Sequence, residues 1–195
     1  DYKSDLKFPN YLDSRFETRI ERVTNDTYLK VFQNNLFFTP GMLNSQSTMN
    51  SNLKFYLDKE DQNLSTGIDI FENLGTKHSD RYQYIFPYYN FYKNLNSTSS
   101  IENNFISGSL DFYSSGKNTL LNTNNLKTTI VNDLNYASKD LISNLGFKNN
   151  FNFYLKNLNS VGKNDSIYTS NAQLDGMSII KLDTSFPLIK LKDIV

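Results

Sequence analysis

The sequence predicts an all-β fold: an antiparallel meander of about nine or ten long strands, with strand lengths that suit a transmembrane β-barrel. Three observations predict it. Apolar and polar residues alternate with period two through most of the chain. The alternating stretches reach about ten residues or more, against roughly five or six in globular sheets and roughly nine to eleven for a tilted bilayer crossing. No segment carries a convincing helical period. The clearest stretch is Leu145–Leu158, where Leu145, Phe147, Phe151, Phe153 and Leu155 alternate with Gly146, Lys148, Asn150, Asn152, Tyr154 and Lys156. A helix would gather Phe147, Phe151 and Leu155 but leave Leu145 and Phe153 elsewhere, whereas a strand puts all five on one face.

The opening, Asp1–Asp13, contains Pro9-Asn10 and reads as the end of a strand and a turn. Ser14–Arg22 sets Arg15, Glu17, Arg19 and Glu21 against Phe16, Thr18 and Ile20. Its charged side is either a solvated strand face or a polar lumen wall. Thr24-Asn25-Asp26 is turn chemistry, and Thr27–Phe38 is expected to be a strand that ends at Thr39-Pro40-Gly41. Met49, Ser51, Leu53, Phe55 and Leu57 alternate with Asn50, Asn52, Lys54, Tyr56 and Asp58. Lys59–Asn63 is a charged turn, and Leu64–Phe71 returns as the partner strand of a hairpin.

Asn73–Asp80 reads as loop. Arg81–Tyr92 is the most aromatic segment, and Pro87 inside it implies an edge, a bulge or a break in pairing. Asn94–Asn104 is a Ser/Asn loop, Phe105–Tyr113 a strand and Ser114–Asn122 a turn-rich connection. Leu126–Tyr136 alternates again, and Ser138–Leu145 could hold one helical turn. After Leu158 come a loop over Asn159–Asp165, a long run over Ile167–Leu182 and a closing stretch Ser185–Lys190. Connections alternate between short and long, as expected of tight turns on one rim and longer loops on the other.

The 195 residues suffice for one domain or for a piece of something larger, and residues 1–195 are expected to be part of one barrel domain. A start at Asp1 without Met fits an excised segment. Lys plus Arg and Asp plus Glu both number 20, so no charge balance points to nucleic acid. The absence of cysteine excludes disulfides and thiolate metal sites. A mean hydropathy of −0.53 looks soluble, but alternating barrel strands look hydrophilic in any sliding window. No apolar run reaches the roughly eighteen residues of a membrane-spanning helix. With 13 Tyr and 15 Phe, the chain is too aromatic for disorder.

No catalytic constellation is legible, so no enzyme activity, cofactor or metal is expected. His78 is the only histidine and sits in a loop beside Asp80, which reads as a surface residue rather than a base. There is no phosphate-cradling glycine loop, no HExxH pair and no nucleophile elbow. Asp58, Glu60 and Asp61 could hold a cation, but a hairpin turn of solvated charges is the simpler account. Asn25-Asp26-Thr27 and Asn63-Leu64-Ser65 match the glycosylation triplet, as chance predicts in so Asn- and Ser-rich a chain. Tyr82, Tyr84, Tyr88 and Tyr89 could stack a sugar or a base; an interfacial belt or plain packing fits better.

Val23-Thr24-Asn25-Asp26-Thr27-Tyr28-Leu29-Lys30-Val31-Phe32 resembles a segment of the lipopolysaccharide-assembly outer-membrane barrel family (LptD, also called organic solvent tolerance protein), a hydroxyl-Asp turn leading into an aromatic strand. The resemblance continues in order through Tyr84-Ile85-Phe86-Pro87-Tyr88-Tyr89, then Thr123-Asn124-Asn125-Leu126-Lys127 to Gly146, and ends on Phe186-Pro187-Leu188-Ile189-Lys190. It implies a middle section of a barrel of some two dozen strands in the outer membrane of a Gram-negative bacterium, translocating and inserting lipopolysaccharide. Implied partners are lipopolysaccharide, a plug lipoprotein in the lumen and a periplasmic bridge protein. The family's cysteines are absent here, and none of its functional residues carries over. In such a wall Leu53, Phe55, Leu57, Phe147, Phe151, Phe153 and Leu155 are expected to face lipid, and Lys54, Lys148, Asn150, Asn152 and Lys156 the lumen.

Alternation is identical in a soluble antiparallel β-sandwich or solenoid acting as an interaction module, where the same apolar residues would form a dry core. Another outer-membrane porin or receptor barrel is the other alternative, and a soluble enzyme comes last for want of a site.

Overall fold

The computed structural model describes residues 1–31, 47–77, 80–95 and 108–186. It is an all-β chain. Its strands are β1 (Tyr2–Asp5), β2 (Asp13–Arg19), β3 (Thr48–Lys59), β4 (Gln62–Asn73), β5 (Tyr82–Asn94), β6 (Gly108–Leu121), β7 (Asn125–Ser138), β8 (Leu141–Ile142), β9 (Lys148–Lys163) and β10 (Gln173–Ser185). All belong to one antiparallel sheet in the order β1-β2-β3-β4-β5-β6-β7-β9-β10, with the short β8 folded back on β9. From β3 onward the strands other than β8 run 12 to 16 residues. The sheet is open: β1 and β10 are its edges and do not pair with each other.

Successive strands are staggered in a constant sense. The ladder Leu57–Leu64–Phe91–Ser114–Asn132–Asn157–Gly176 crosses seven strands. Leu57 lies close to the end of β3 at Lys59, whereas Asn157 lies well inside β9, which starts at Lys148. Progressive stagger of this kind is what rolling a sheet toward a barrel requires. At the Phe86-Pro87 step of β5, which is cis, the register shifts against both neighbours, between Gly67 and Asp69 and between Ile85 and Tyr88. Pro87 therefore accompanies a local break in pairing, one of the outcomes expected of a proline inside a strand.

Several expected boundaries move. Tyr28–Val31 forms a short helix, α1, rather than the start of a strand; Phe32–Phe38 lie outside the described residues. The cause is local: Asn25 Oδ1 accepts from the Thr27 N–H at 3.0 Å, and the Val31 N–H donates to the Thr27 carbonyl at 3.0 Å. Such side-chain-to-backbone bonds compete with sheet ladders. Ser114–Asn122 is not a connection: β6 runs on through Leu121, pairing with β5 and β7 on its two sides. Likewise Asn159–Lys163 continues β9, while Ile167–Ala172 is loop and β10 begins only at Gln173. Leu141 and Ile142 form a small hairpin with β9 where a helical turn was open.

The connections do not sort by rim. The tight turn at residues 60–61 lies at one end of the sheet and that at 122–124 at the other, so short turns occur on both rims. Among the described residues, the buried apolar side chains are Leu29, Met49 and Leu74, joined by the partly buried Val23. This small cluster sits at one rim, where α1 folds over the ends of β3 and β4. Arg81 is buried beside it, its guanidinium nitrogens on Asp26 (Nη1 to Oδ2, 3.0 Å) and its Nε 2.6 Å from Glu72 Oε1. Glu72 also accepts from the Tyr82 hydroxyl at 2.9 Å.

Candidate functional site

The candidate site is the sheet itself, because its two faces differ in chemistry. Residues directly opposite in an antiparallel ladder share a face, so the registers place the paired strand residues. One face carries Phe16; Leu53, Phe55 and Leu57; Leu64, Ile68 and Ile70; Tyr84, Tyr89 and Phe91; Leu110, Phe112 and Leu120; Leu126, Ile130, Leu134 and Tyr136; Phe151, Phe153, Leu155 and Val161; and Leu174, Ile180 and Leu182. Among the described strands, the charged residues of that parity are Lys59, Glu72, Lys93 and Lys163, all at strand ends. The other face carries most of the charge. Lys3–Glu17 (3.3 Å), Arg15–Glu17 (3.5 Å), Lys156–Asp133 (3.2 Å) and Lys181–Asp183 (2.8 Å) are ion pairs on it.

Six of the seven residues expected to face lipid, Leu53, Phe55, Leu57, Phe151, Phe153 and Leu155, lie together on the apolar face. Phe147 precedes β9 in a turn, with its ring 5.0 Å from that of Phe186. Lys54, Lys148, Asn150, Asn152 and Lys156 all lie on the opposite face. Among the described residues the apolar face is covered only at the rim where Leu29 and Val23 pack on Met49, and Ile180 and Leu182 on β10 remain 77% and 68% exposed. Aromatic pairs line the same face, Phe91 with Phe112 at 6.3 Å and Tyr136 with Phe151 at 5.5 Å. Next to the register shift Ile68, Ile70, Tyr84, Phe86, Leu120 and Leu126 line an open apolar depression of about 430 Å³.

The tyrosine cluster is split. Tyr82 and Tyr84 stack at 5.9 Å on the apolar face, and the adjacent Tyr88 and Tyr89 point to opposite faces. Tyr88 covers Gly67 of β4, and the Tyr89 ring covers Gly116 of β6, where an added Cβ would lie 2.4 Å from the ring. Each ring fills the space its glycine leaves. On the charged face, Asp69, Tyr88, Asn90, Ser115, Lys117 and Thr129 border an open groove of about 370 Å³.

A polar row across the apolar face was missed in the sequence. The Tyr89 hydroxyl lies 3.1 Å from Ser114 Oγ, which donates to Asn132 Oδ1 at 2.7 Å. Asn132 Nδ2 donates to Asn157 Oδ1 at 3.3 Å, which also accepts from Asn159 Nδ2 at 2.6 Å. The available signal was parity: Asn132 shares the alternation of Ile130 and Leu134, and Asn157 that of Phe153 and Leu155.

At the rims, the Asp26 hydrogen bond, with Glu72 nearby, holds the Arg81 pKa above its ordinary value. Lys148 first and Asn150 next hold Asp140 below the usual carboxylate range. Asp165 is held down by the N–H groups of Tyr168 and Ile167. Asp58 accepts from Asn63 Nδ2 at 3.3 Å and Lys59 lies 3.7 Å from Asp61, so the hairpin carboxylates are engaged locally. Asn63, Leu64 and Ser65 lie within β4, paired on both sides. His78 and Pro187–Lys190 lie outside the described residues. No family model matches the sequence, and no curated protein matches it either.

Proposed function

We propose that this sheet is part of the wall of an outer-membrane β-barrel of the lipopolysaccharide-assembly kind. Its apolar face meets lipid and its charged face lines an aqueous lumen that helps pass lipopolysaccharide to the outer leaflet. The observation that carries the wall is the separation of the faces: charges of apolar-face parity sit only at strand ends, and among the described residues that face is covered only at the rim where Leu29 and Val23 pack on Met49. A two-sided sheet in water needs a second layer over its apolar side. Hydrocarbon supplies that cover, and a rolled sheet satisfies its backbone between strands. Strands of 12 to 16 residues exceed the roughly nine to eleven that a tilted crossing needs, leaving their ends for the rims. The lipopolysaccharide limb rests on the order of the sequence motifs, with the plug lipoprotein and bridge protein as implied partners.

The test is refolding side by side in plain buffer and in detergent micelles, followed by far-UV circular dichroism. The wall predicts cooperative β-structure in micelles and aggregation in buffer; soluble, cooperative β-structure in buffer would sink it. For the lipopolysaccharide limb, a photoreactive residue at Asn152 on the lumen face should capture lipopolysaccharide in cells; no capture there would overturn that limb.

A second reading, a soluble sandwich serving as an interaction module, is favoured by one observation. The Ser114–Asn132–Asn157 row lies mid-strand on the apolar face, where protein cover suits it better than hydrocarbon.

A further inference from the structure

Ser114, Asn132 and Asn157 lie near the middles of β6, β7 and β9, so a wall carries them near the centre of the bilayer. The row spends much of its hydrogen-bonding capacity internally. Since Ser114 gives its proton to Asn132, the Tyr89 hydroxyl donates to Ser114, and Asn157 Nδ2 donates to the Asp175 carbonyl at 3.3 Å. Capacity is left over: each amide nitrogen has two protons, and Asn159 Oδ1 accepts no hydrogen bond among the described residues. Lipid tails offer those groups nothing, and an unmet polar group in hydrocarbon is costly.

We propose that the apolar face around Asn132 is a contact between two copies of this chain lying side by side in the membrane. The proposal rests on the reading of that face as membrane-facing. A two-fold axis along the bilayer normal keeps every residue at its own depth, so the polar groups nearest the axis meet those of the other copy. Asn132 and Asn157 then find donors and acceptors where lipid has none. The relief suits close approach: Gly176 lies opposite Asn157 on the same face, and small residues let membrane segments pack closely. Identical surfaces repel where they carry charge, and the charges of this parity stand away at the strand ends.

The chain has no cysteine, so single-cysteine variants need no altered background. Ile130→Cys lies on the row's flank and Leu53→Cys lies on the same face away from it. The two side chains are matched in one copy, 37% and 40% exposed. The protein is reconstituted into phospholipid vesicles, with resistance to protease as the check of folding. Each variant is oxidised with copper-phenanthroline, and each is also labelled with bimane and exposed to brominated phospholipid. We expect a disulfide-linked dimer at 130 and not at 53, with quenching at 53 and protection at 130. Adding Asn132→Leu to Ile130→Cys should cut the dimer about tenfold.

Equal quenching at both positions without a dimer would overturn the contact while leaving the lipid-facing reading intact. Protection at 130 without a dimer would overturn the second copy as its cover and point to a different protein. Absence of quenching at both, with ready labelling by a membrane-impermeant thiol reagent, would overturn the membrane reading and the contact together.

Discussion

Replacing Leu155, Phe153 and Asn152 by arginine, one at a time, tests the assignment of faces and of depth. Leu155 lies near the middle of β9, opposite Leu134 and Ser178 on the apolar face. Phe153 lies on the same face, one step nearer the end of the strand, opposite Tyr136 and Ile180. Asn152 faces the other way, opposite Ala137 and Lys181, and Lys181 is already paired with Asp183 at 2.8 Å. A lipid-facing arginine costs about 2–4 kcal/mol at the midplane and falls toward zero at the interfaces. Leu155→Arg should therefore cost about 3–4 kcal/mol and Phe153→Arg about 2 kcal/mol. Asn152→Arg meets water and one neutralised lysine, and should stay within about 0.5 kcal/mol. The assay is urea unfolding in phospholipid vesicles, followed by tyrosine fluorescence, with midpoints compared at fixed lipid-to-protein ratio. Equal costs at 152 and 155 would refute the faces. Equal costs at 153 and 155, with 152 tolerated, would keep the faces but refute the depth gradient, as a dry protein core would.

Three further outcomes follow from other parts of the sheet. Gly116→Ala, which pushes a Cβ into the Tyr89 ring, should destabilise by about 1–3 kcal/mol; combined with Tyr89→Ala it should cost less than the two changes summed, read by the same titration as a double-mutant cycle. Arg81→Met leaves Asp26 and Glu72 without their shared cation and should lower the urea midpoint more than Asp26→Asn, which leaves Glu72 in place; the reverse order would mean that Glu72 is not held by Arg81. Asp165, whose folded pKa is depressed by two backbone N–H groups, contributes stability that is present above its unfolded pKa and lost as pH falls through the folded one. Carboxyl NMR should show its midpoint below the ordinary aspartate value, and Asp165→Asn should flatten that acid dependence; a midpoint at or above the ordinary value would contradict the loop geometry.

Strands β3, β4, β7 and the first half of β9 were legible because strict alternation in a sheet with one apolar side fixes which residues share a face, though not the pairing register. The same alternation sets Leu53 against Lys54, and Phe153 against Asn152, on opposite faces. The second half of β6 was hidden. Ser-Ser-Gly-Lys-Asn is turn composition, and only pairing on both sides, with Tyr89 filling the gap over Gly116, keeps it extended. Local propensity gives way there to neighbours distant in sequence. The reverse holds at Tyr28–Val31, where the Asn25 side chain nucleates a turn inside an otherwise strand-like pattern. The rims misled for a different reason: loop length is legible, but which end a loop occupies depends on the exact count of strands before it. The polar row was half legible. The asparagines have the right parity, but Ser114 and Asn159 lie in stretches of turn composition, so the sequence alone does not join the row across four strands.

Along the path from β1 to β10 the described sheet has nine strands, an odd number. The first and the last therefore run in the same direction. Laid directly against each other they would form a parallel seam, so an antiparallel closed wall containing this sheet has an odd number of further strands between these edges. The polypeptide also enters the sheet at one rim and leaves it at the other. In a bilayer, Asp1 and Ser185 then stand in different compartments, and reporters fused before β1 and after β10 would sense opposite sides of the membrane.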